Sequence, residues 1–238
     1  MVHSPHSSFT LGVAVFVKTP GRSPLKTRLA KTVGIDAAHE FYVRACKAIA
    51  QTLRIAEEES QGAIKAIWAV AEDDADHQWG EFPIFHQGPG NLGDKLHHVY
   101  GSLLKQFNSV ALIGADAPQI SASDLILTKN HLHSGHDFVA GPASDGGFYL
   151  FAGQKPIARH IWLNTPYSQA DTLEKLLTEV SKVSKVRKTG SVATLHRYTD
   201  VDTYEDLPAL LREIKSNRNT GREQLDLIKF CSDLIAKK

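Results

Sequence analysis

One carboxylate stands just beyond a short apolar segment of this sequence. Residues 109–118 read Ser-Val-Ala-Leu-Ile-Gly-Ala-Asp-Ala-Pro, so an apolar run is followed closely by Asp116. In open α/β sheets, ligands bind beyond the carboxyl ends of the strands, and a carboxylate there suits Mg²⁺ or Mn²⁺ carrying a phosphate. We therefore predict that Asp116 is a metal ligand and a catalytic residue. The alternative is a helix cap, but Ser121 and Ser123 are better placed for that role.

A basic loop follows the first apolar segment. Residues 18–29 read Lys-Thr-Pro-Gly-Arg-Ser-Pro-Leu-Lys-Thr-Arg-Leu, which brings several cations together with Gly21. A glycine permits close approach of a backbone, and cations pair with phosphate oxygens. We predict that Lys18 and Arg28 bind phosphate and that Lys26 takes part in catalysis. A solvated basic loop is the alternative.

Residues 86–95, His-Gln-Gly-Pro-Gly-Asn-Leu-Gly-Asp-Lys, are rich in glycine. Each glycine loses much conformational entropy on folding, so such a segment needs a physical reason. One reason is a backbone lying against a flat nucleobase, with the amide of Gln87 reading a base edge. We predict nucleotide binding by Gln87, Gly88 and Gly93. A tight strand-to-helix turn is the alternative, and both roles are compatible.

An Asp145-Gly-Gly sequence separates two further apolar segments. Such a sequence is typical of a hairpin turn, in which Asp145 is only a turn residue. If the turn lies at the same sheet edge as Asp116, Asp145 becomes a catalytic residue that accepts a substrate hydroxyl or joins the metal shell.

A late acidic segment carries Asp200 and Asp202 immediately before Thr203. Thr203 and Asp206 form a capping-box pattern that starts a helix. In an extended segment Asp200 and Asp202 share one face. We favour Asp202 as the second metal ligand because it adjoins the rigid start of the helix.

Apolar runs alternate with amphipathic segments. We predict strands over 11–17, 63–70, 82–86, 110–113, 138–141 and 148–151, a short strand between 192 and 198, and helices over 36–59, 94–107, 121–134, 171–182 and 203–215. This alternation predicts an α/β fold: a mostly parallel sheet with helices on both faces. The hairpin-like stretch 138–151 makes the sheet mixed.

Composition limits the class of function. The chain has 238 residues, a net charge of +1, 42% hydrophobic and 22% charged residues. This is an ordinary globular balance without the basic field of a nucleic-acid binder. No apolar run approaches the ~18 residues of a transmembrane helix, and two cysteines make no disulfide framework. We expect a cytoplasmic protein with neither nucleic-acid partners nor a membrane span.

Two polar segments suggest domain limits. We predict a flexible tail over 1–9, a catalytic domain over 10–216 and a C-terminal helical extension over 217–238, which begins with the polar stretch 217–221. The last helix should place Leu225, Ile228 and Ile235 along one stripe, with Leu234 beside it. It packs on the body or covers a second copy in a homodimer.

Six motifs, in order, resemble those of the DUF2064 family of GT-A-fold proteins, which are related to glycosyltransferases and 2-phospho-lactate guanylyltransferases. The matching residues are Lys18-x-Pro20, Lys26-Thr27-Arg28-Leu29, Gln87-x-x-Gly90-x-Leu92-Gly93, Gly114-x-Asp116-x-Pro118, Gly141-Pro142-x-x-Asp145-Gly146-Gly147-x-Tyr149-Leu150 and Asp200-Val201-Asp202-Thr203-x-x-Asp206-Leu207. The resemblance implies a three-layer nucleotide-diphospho-sugar transferase-like fold. It also implies that the strand-end Asp and a late Asp hold a divalent ion on nucleotide phosphates, which the early loop cradles.

The sequence departs from the family pattern at three informative positions. Gly21 follows the loop proline directly, whereas the family glycine comes three residues after it. Ala117 replaces a cysteine, which argues against thiol chemistry, and Phe148 replaces a tyrosine.

Three functions fit these residues. The first is metal-dependent glycosyl transfer from a nucleotide sugar, and the second is nucleotidyl transfer from a nucleoside triphosphate to a phosphorylated acceptor with release of pyrophosphate. The sequence lacks the Leu-x-Gly-Gly-x-x-x-Arg loop typical of nucleotidyltransferases, which favours the first. The third is a non-catalytic nucleotide-binding module.

Overall fold

The computed structural model describes residues 9–73, 79–183, 192–217 and 219–237, so residues 1–8 of the predicted tail lie outside the described residues. One sheet runs through the described chain. Its strands are β1 (Leu11–Val17), β2 (Ile64–Val70), β3 (Ile84–His86), β4 (Ser109–Gly114), β5 (Phe138–Pro142), β6 (Phe148–Gly153) and β7 (Val192–Thr194). They lie in the order β3-β2-β1-β4-β6-β5-β7.

Helices connect most of the strands. They are α1 (Thr27–Val33), α2 (Ile35–Glu59), α3 (Leu92–Leu103), α4 (Ala122–His133), α5 (Arg159–Asn164), α6 (Thr172–Val183), α7 (Leu207–Ser216) and α8 (Arg222–Ala236). A 3₁₀ turn, Tyr204–Asp206, precedes α7. No helix within the described ranges is both long and apolar enough to cross a membrane.

The sheet is mixed, as the hairpin pattern predicts. β1 pairs in parallel with β2 and β4, and β2 pairs in parallel with β3. β6 runs antiparallel to both β4 and β5, and β7 runs parallel to β5. The carboxyl ends of β1, β2, β3 and β4 therefore meet at one edge, where β6 begins.

Alternate residues of β1 divide the core into two layers. Val13 and Val15 pack into a cluster with residues of α2 and α4, such as Leu53 and Leu125. On the other face, Ala14 joins residues of α3, α5 and α6. Helices therefore cover both faces of the sheet, which confirms the predicted three-layer α/β/α fold. A strand that is covered on both faces is apolar throughout, as β1 is.

Two short helices, α1 and α5, have no counterpart among the predicted elements, and α3 begins earlier than the predicted start at Asp94. The Asn91 side chain accepts a hydrogen bond from the backbone N–H of Asp94 at 3.0 Å. The Asp94 carboxylate in turn accepts from the N–H of Asn91 at 3.2 Å. This reciprocal cap starts the helix at Leu92, because the backbone N–H groups of Asn91 and Asp94 both find an acceptor.

The last helix packs on the body of the protein. Leu227 and Cys231 of α8 lie in a cluster with Phe41 of α2 and Leu210 of α7. The predicted stripe is wrong in one respect, because Leu225 is 56% exposed. Gln224 takes the buried position instead, and its amide donates to the backbone oxygen of Pro118 at 3.0 Å.

Candidate functional site

A cavity of about 720 Å³ opens at the sheet edge where the parallel strands end. Most of the residues predicted to form a site line this cavity, together with one carboxylate that we ranked lower. They are Lys18, Lys26, Arg28, Gln87, Asp116, Asp145, Asp200 and Asp202. The fold therefore brings residues of all five sequence segments to one place. Gly88 and Gly93 are not among the residues that line the cavity.

Asp116 follows β4 and points into the cavity with 46% of its side chain exposed. It does not cap α4, because the Ser121 hydroxyl accepts from the N–H of Asp124 at 3.2 Å and fills that role. The backbone oxygen of Asp116 accepts from the N–H of Val201 at 3.0 Å. The late acidic segment is thus hydrogen-bonded directly to Asp116, two residues beyond the end of β4.

Lys26 lies beneath this carboxylate. Its Nζ is 2.6 Å from Asp116 Oδ1, and only 4% of its side chain is exposed. The same ammonium also donates to the backbone oxygen of Val201 and lies 5.8 Å from the ring centroid of Phe41. A lysine ammonium buried in this way needs a partner of opposite charge, because burying an unpaired charge costs much free energy.

The backbone of Lys26 adopts an unusual conformation. Its φ of 45° and ψ of 44° place it in the left-handed region immediately before α1. This conformation costs conformational free energy for residues other than glycine, and such strained residues are concentrated at functional sites. The sharp change of direction turns the Lys26 side chain back towards Asp116 while the chain continues into α1.

A second ion pair joins α1 to the late segment, because the residues from Thr27 onwards, predicted as part of the basic loop, are helical. Arg28 lies 2.8 Å from Asp202, and 66% and 45% of the two side chains are exposed. The Asp206 carboxylate holds the segment from below, since it accepts from the N–H groups of Asp202 at 3.0 Å and Thr203 at 2.7 Å. Asp202 therefore stands at the mouth of the cavity, engaged with a basic residue.

Asp200 lies deeper than Asp202, among the other carboxylates. Burial, followed by the nearby charges of Asp116 and Asp145, raises its pKa to about 7, while the ammonium of Lys26 opposes this increase. From the sequence we favoured Asp202 over Asp200 because Asp202 adjoins the rigid start of the helix. The alternation of side chains in the extended segment gave both residues the same face, and the structure places both at the cavity.

Asp145 serves the turn and also lines the cavity. Its Oδ1 accepts from the N–H of Gly147 at 2.8 Å, as a turn residue does. Gly146 adopts a φ of +92°, and a Cβ there would lie 2.0 Å from the backbone oxygen of Ala170. The turn is therefore fixed tightly against the segment before α6, which holds Asp145 at the cavity.

The glycine-rich segment has clear structural functions. Gln87 is 5% exposed, and its amide donates to the backbone oxygens of Val17 at 3.2 Å and Ala69 at 2.8 Å. A Cβ at Gly93 would lie 2.5 Å from the backbone oxygen of Trp162, so this glycine allows α3 and α5 to approach closely. These contacts favour the strand-to-helix turn for the segment. Nucleotide binding by Gln87, Gly88 and Gly93 stays a prediction.

The opposite wall of the cavity is largely apolar. Phe16, Leu92, Leu96, Phe148 and Tyr167 line it. Phe16, Phe148 and Tyr167 are only partly buried against the core on the α3 side of the sheet. The cavity therefore combines a charged half with an apolar half, and an apolar lining with a few placed polar groups is typical of small-molecule sites.

The carboxylates suit a hard divalent cation by their chemistry. Asp116, Asp145, Asp200 and Asp202 supply oxygen ligands, as Mg²⁺ and Mn²⁺ prefer. Within the described ranges, however, no group of three or more His, Cys, Asp or Glu residues is arranged to hold a metal ion. The donor set fits an ion that is completed by phosphate and water oxygens, a common situation for Mg²⁺.

Comparison with solved structures identifies the fold. A Desulfovibrio desulfuricans G20 protein, provisionally named a nucleotide-diphospho-sugar transferase, superposes with a TM-score of 0.80 at 22% identity, covering 95% of this chain and 97% of that one. The 4-diphosphocytidyl-2C-methyl-D-erythritol synthase of Anaerococcus prevotii DSM 20548 gives 0.51 at 11% identity over 96% and 97% of the two chains. A cytidylyltransferase from Leptospira borgpetersenii serovar Hardjo-bovis (strain JB197) gives 0.50 at 12% identity over 96% of each chain.

These likenesses establish a nucleotide-diphospho-sugar transferase-like fold. A search of curated proteins gave no match to the sequence. The model of the DUF2064 family, described as an uncharacterized protein conserved in bacteria, matches residues 44–169, slightly more than half of the chain. The match contains the strand-end aspartate and the Asp145 turn. This chain belongs to the DUF2064 family.

Proposed function

We propose that this protein is a metal-dependent transferase that acts on a nucleotide-sugar donor. The observation that carries the proposal is the contact between Lys26 and Asp116, 2.6 Å apart at the carboxyl end of a central strand. A buried cation and a half-exposed carboxylate at this position form a matched pair of ligands, one for phosphate oxygens and one for a divalent ion.

The residues of the first loop bind the diphosphate in this proposal. Lys26 turns from Asp116 to a phosphate oxygen, and Arg28 and Lys18 pair with the outer oxygens. These contacts favour the reaction because negative charge grows on the departing diphosphate in the transition state. Asp116, with Asp200 or Asp202, would hold Mg²⁺ or Mn²⁺, and such an ion supplies positive charge beside the same leaving group.

The remaining parts of the cavity orient the substrates. Asp145 is exposed at the rim, where its carboxylate can accept a hydroxyl hydrogen bond from the sugar or the acceptor. The partly exposed rings of Phe16, Phe148 and Tyr167 offer faces for a flat or apolar group. Positioning of this kind accounts for much of the rate that enzymes give to transfer reactions.

Nucleotidyl transfer is the second candidate. In that reaction a phosphorylated acceptor attacks the α-phosphorus of a nucleoside triphosphate, and pyrophosphate leaves. Three cations at the cavity, Lys18, Lys26 and Arg28, come from the first loop and the start of α1, and such a concentration of positive charge suits a triphosphate. Phosphoryl chemistry depends mainly on positioning and charge stabilisation, which this site could equally provide.

A ligand screen followed by product analysis tests the proposal. Nucleoside triphosphates and nucleotide sugars, each with and without Mg²⁺ or Mn²⁺, are screened for an increase in Tm, since a ligand that binds only the folded state raises it. Ligands that bind are then incubated with the protein and candidate acceptors. Release of a nucleoside diphosphate supports glycosyl transfer, and release of pyrophosphate supports nucleotidyl transfer.

Matched variants make the test specific. Asp116→Asn and Lys26→Ala should abolish the metal-dependent increase in Tm, whereas the exposed Lys105→Ala should retain it. Binding without any turnover would favour the non-catalytic module, and the absence of metal-dependent nucleotide binding by the wild-type protein would refute the proposal.

A further inference from the structure

A carboxylate outside the cavity connects the two segments that carry Asp116 and Asp200. Glu213 lies on α7, and its Oε2 accepts from the N–H of Thr199 at 3.0 Å while its Oε1 accepts from the Thr199 hydroxyl at 2.7 Å. Thr199 directly precedes Asp200. The side chain of Glu213 therefore holds the backbone just before a cavity carboxylate.

Glu213 also reaches the segment that follows β4. The amide of Gln119, three residues after Asp116, donates to Glu213 Oε2 at 2.8 Å. The same amide donates to the backbone oxygen of Thr199 at 2.7 Å. Gln119 is fully buried, and Thr199 is 8% exposed. Three hydrogen bonds thus converge on one carboxylate and join both segments.

These bonds supplement the contact made by the backbone of Asp116 itself. The oxygen of Asp116 accepts from the N–H of Val201 at 3.0 Å. On the other side of the late segment, the Asp206 carboxylate holds the N–H of Asp202 at 3.0 Å. Asp200 and Asp202 are consequently held between two carboxylates, but only Glu213 also binds the chain that follows Asp116.

We propose that Glu213 is a positioning residue that sets the separation between Asp116 and Asp200. The hydrogen bonds that its charged oxygens accept are stronger than bonds between neutral groups. Mutation of residues that orient metal ligands typically weakens metal binding by about 10–100-fold. The part of this inference that concerns ligand binding rests on the proposed function. The part that concerns the coupling of the two segments is independent of that function.

The first experiment measures that coupling without any ligand. Glu213→Gln keeps the size of the side chain but presents an NH₂ group where N–H donors from Gln119 and Thr199 converge, so at least one bond is lost. Hydrogen exchange of the Val201 amide should become faster, by on the order of tenfold. The amide of Ala14, in the centre of the sheet, should keep its wild-type protection.

Glu57→Gln is a matched control. Glu57 Oε1 accepts from the N–H of Ala66 at 2.9 Å, near the start of β2 and at the opposite edge of the sheet. This variant weakens a similar carboxylate–backbone bond by removing its charge, since the amide oxygen can still accept from Ala66, and it should leave the exchange of Val201 unchanged. Equal exchange of Val201 in the wild-type protein and Glu213→Gln would overturn the proposal.

The second experiment uses Mg²⁺ with inorganic pyrophosphate as the probe, measured by calorimetry. Glu213→Gln should bind the probe about 10–100-fold more weakly than the wild type, and Glu57→Gln should bind it normally. Wild-type affinity in Glu213→Gln would also overturn the positioning role. If the wild-type protein does not bind the probe, the proposed function fails, and the exchange of Val201 alone decides the role of Glu213.

Thr199→Val covers the case in which Glu213→Gln does not fold. It removes only the hydroxyl donor to Glu213 and leaves the charge in place. Exchange of Val201 should accelerate in this variant too, by less than in Glu213→Gln. Unchanged exchange in Thr199→Val, with Glu213→Gln unfolded, counts against the proposal.

Discussion

Lys26 Nζ and Asp116 Oδ1 lie 2.6 Å apart, yet the two side chains are buried to very different extents, with 4% of the lysine and 46% of the aspartate exposed. The carboxylate stays in contact with solvent when its partner is removed, whereas the ammonium does not. The two halves of this ion pair should therefore have unequal effects on stability.

Asp116→Asn should be the more destabilising of the two single substitutions. It leaves the buried ammonium of Lys26 without its charged partner, at an expected cost of about 1–3 kcal/mol in the free energy of unfolding. Lys26→Met removes the ammonium and leaves a hydrated carboxylate, so its cost should be smaller. Urea denaturation of both variants and of the double variant measures the coupling. The exposed Asp233→Asn is the control, and equal stability of Asp116→Asn and wild type would contradict this account.

Arg28→Ala should weaken ligand binding with little effect on stability. Its ion pair with Asp202 is exposed on both sides, and pairs of that kind contribute at most about 1 kcal/mol. Affinity for a nucleoside diphosphate should fall, while affinity for the corresponding nucleoside should not, as measured by calorimetry. The exposed Arg212→Ala should bind both ligands normally. An equal loss for both ligands in Arg28→Ala would show that the loop does not recognise phosphate.

Asp200 should make stability depend on pH. Its pKa is raised to about 7 in the folded protein, first by burial and then by Asp116 and Asp145, whereas the unfolded chain titrates near ~3.9. The folded state thus holds a proton that the unfolded chain releases. The contribution is fully present below the unfolded pKa and is lost as the pH rises through about 7.

The Asp200→Asn variant isolates this effect, because asparagine stays neutral. In metal-free buffer its Tm should equal that of the wild type near the acid end and exceed it by on the order of 5 °C at alkaline pH. Asp233→Asn should show no such trend. A Tm difference that is constant across the pH range would mean that Asp200 titrates normally.

Gly146→Ala should be more destabilising than Gly135→Ala. Both glycines have positive φ, +92° and +105°, but a Cβ at Gly135 meets nothing within 4 Å, whereas one at Gly146 would lie 2.0 Å from the oxygen of Ala170. Gly135→Ala carries only conformational strain, about 1–3 kcal/mol. Gly146→Ala adds a steric clash with the backbone and should lower the Tm further. Similar losses of Tm in the two variants would show that the segment around Ala170 yields easily.

The layers of the fold follow from patterns that lie within single segments of the sequence. The continuous apolar runs of β1, β2 and β4 predicted a parallel sheet covered on both faces, and the Asp145-Gly-Gly turn predicted the antiparallel pair β5 and β6. The six-residue α5 was missed because it is too short to show a helical period. In α8, Gln224 replaced Leu225 at the buried position because its amide finds backbone oxygens to bind, and hydrophobicity alone does not register such a bond.

The candidate site could be predicted only as far as its segments. Their shared edge followed from the rule that ligands bind beyond the carboxyl ends of the strands in an open α/β sheet, and Asp116 was identified from its place after β4. The closeness of Asp200 to the other carboxylates depends on how residues 199–202 are held, and that depends on Glu213 and Gln119, which carry no motif. Likewise, nothing in the composition of the first loop indicates that Lys26 takes a left-handed conformation and turns beneath Asp116.

The hydrogen bonds of Val201 have a consequence for biosynthesis. A ribosome synthesises Lys26 and Asp116 long before it has made residues 199–202. The nascent chain therefore carries this pair without the backbone oxygen and N–H of Val201 that bind Lys26 and Asp116 in the folded protein. The parallel strands β1 to β4 can form during translation, but the cavity gains its late carboxylates only after residues 199–202 have been made. A nucleotide that binds as proposed above, with the help of these carboxylates, therefore cannot stabilise the chain before that point.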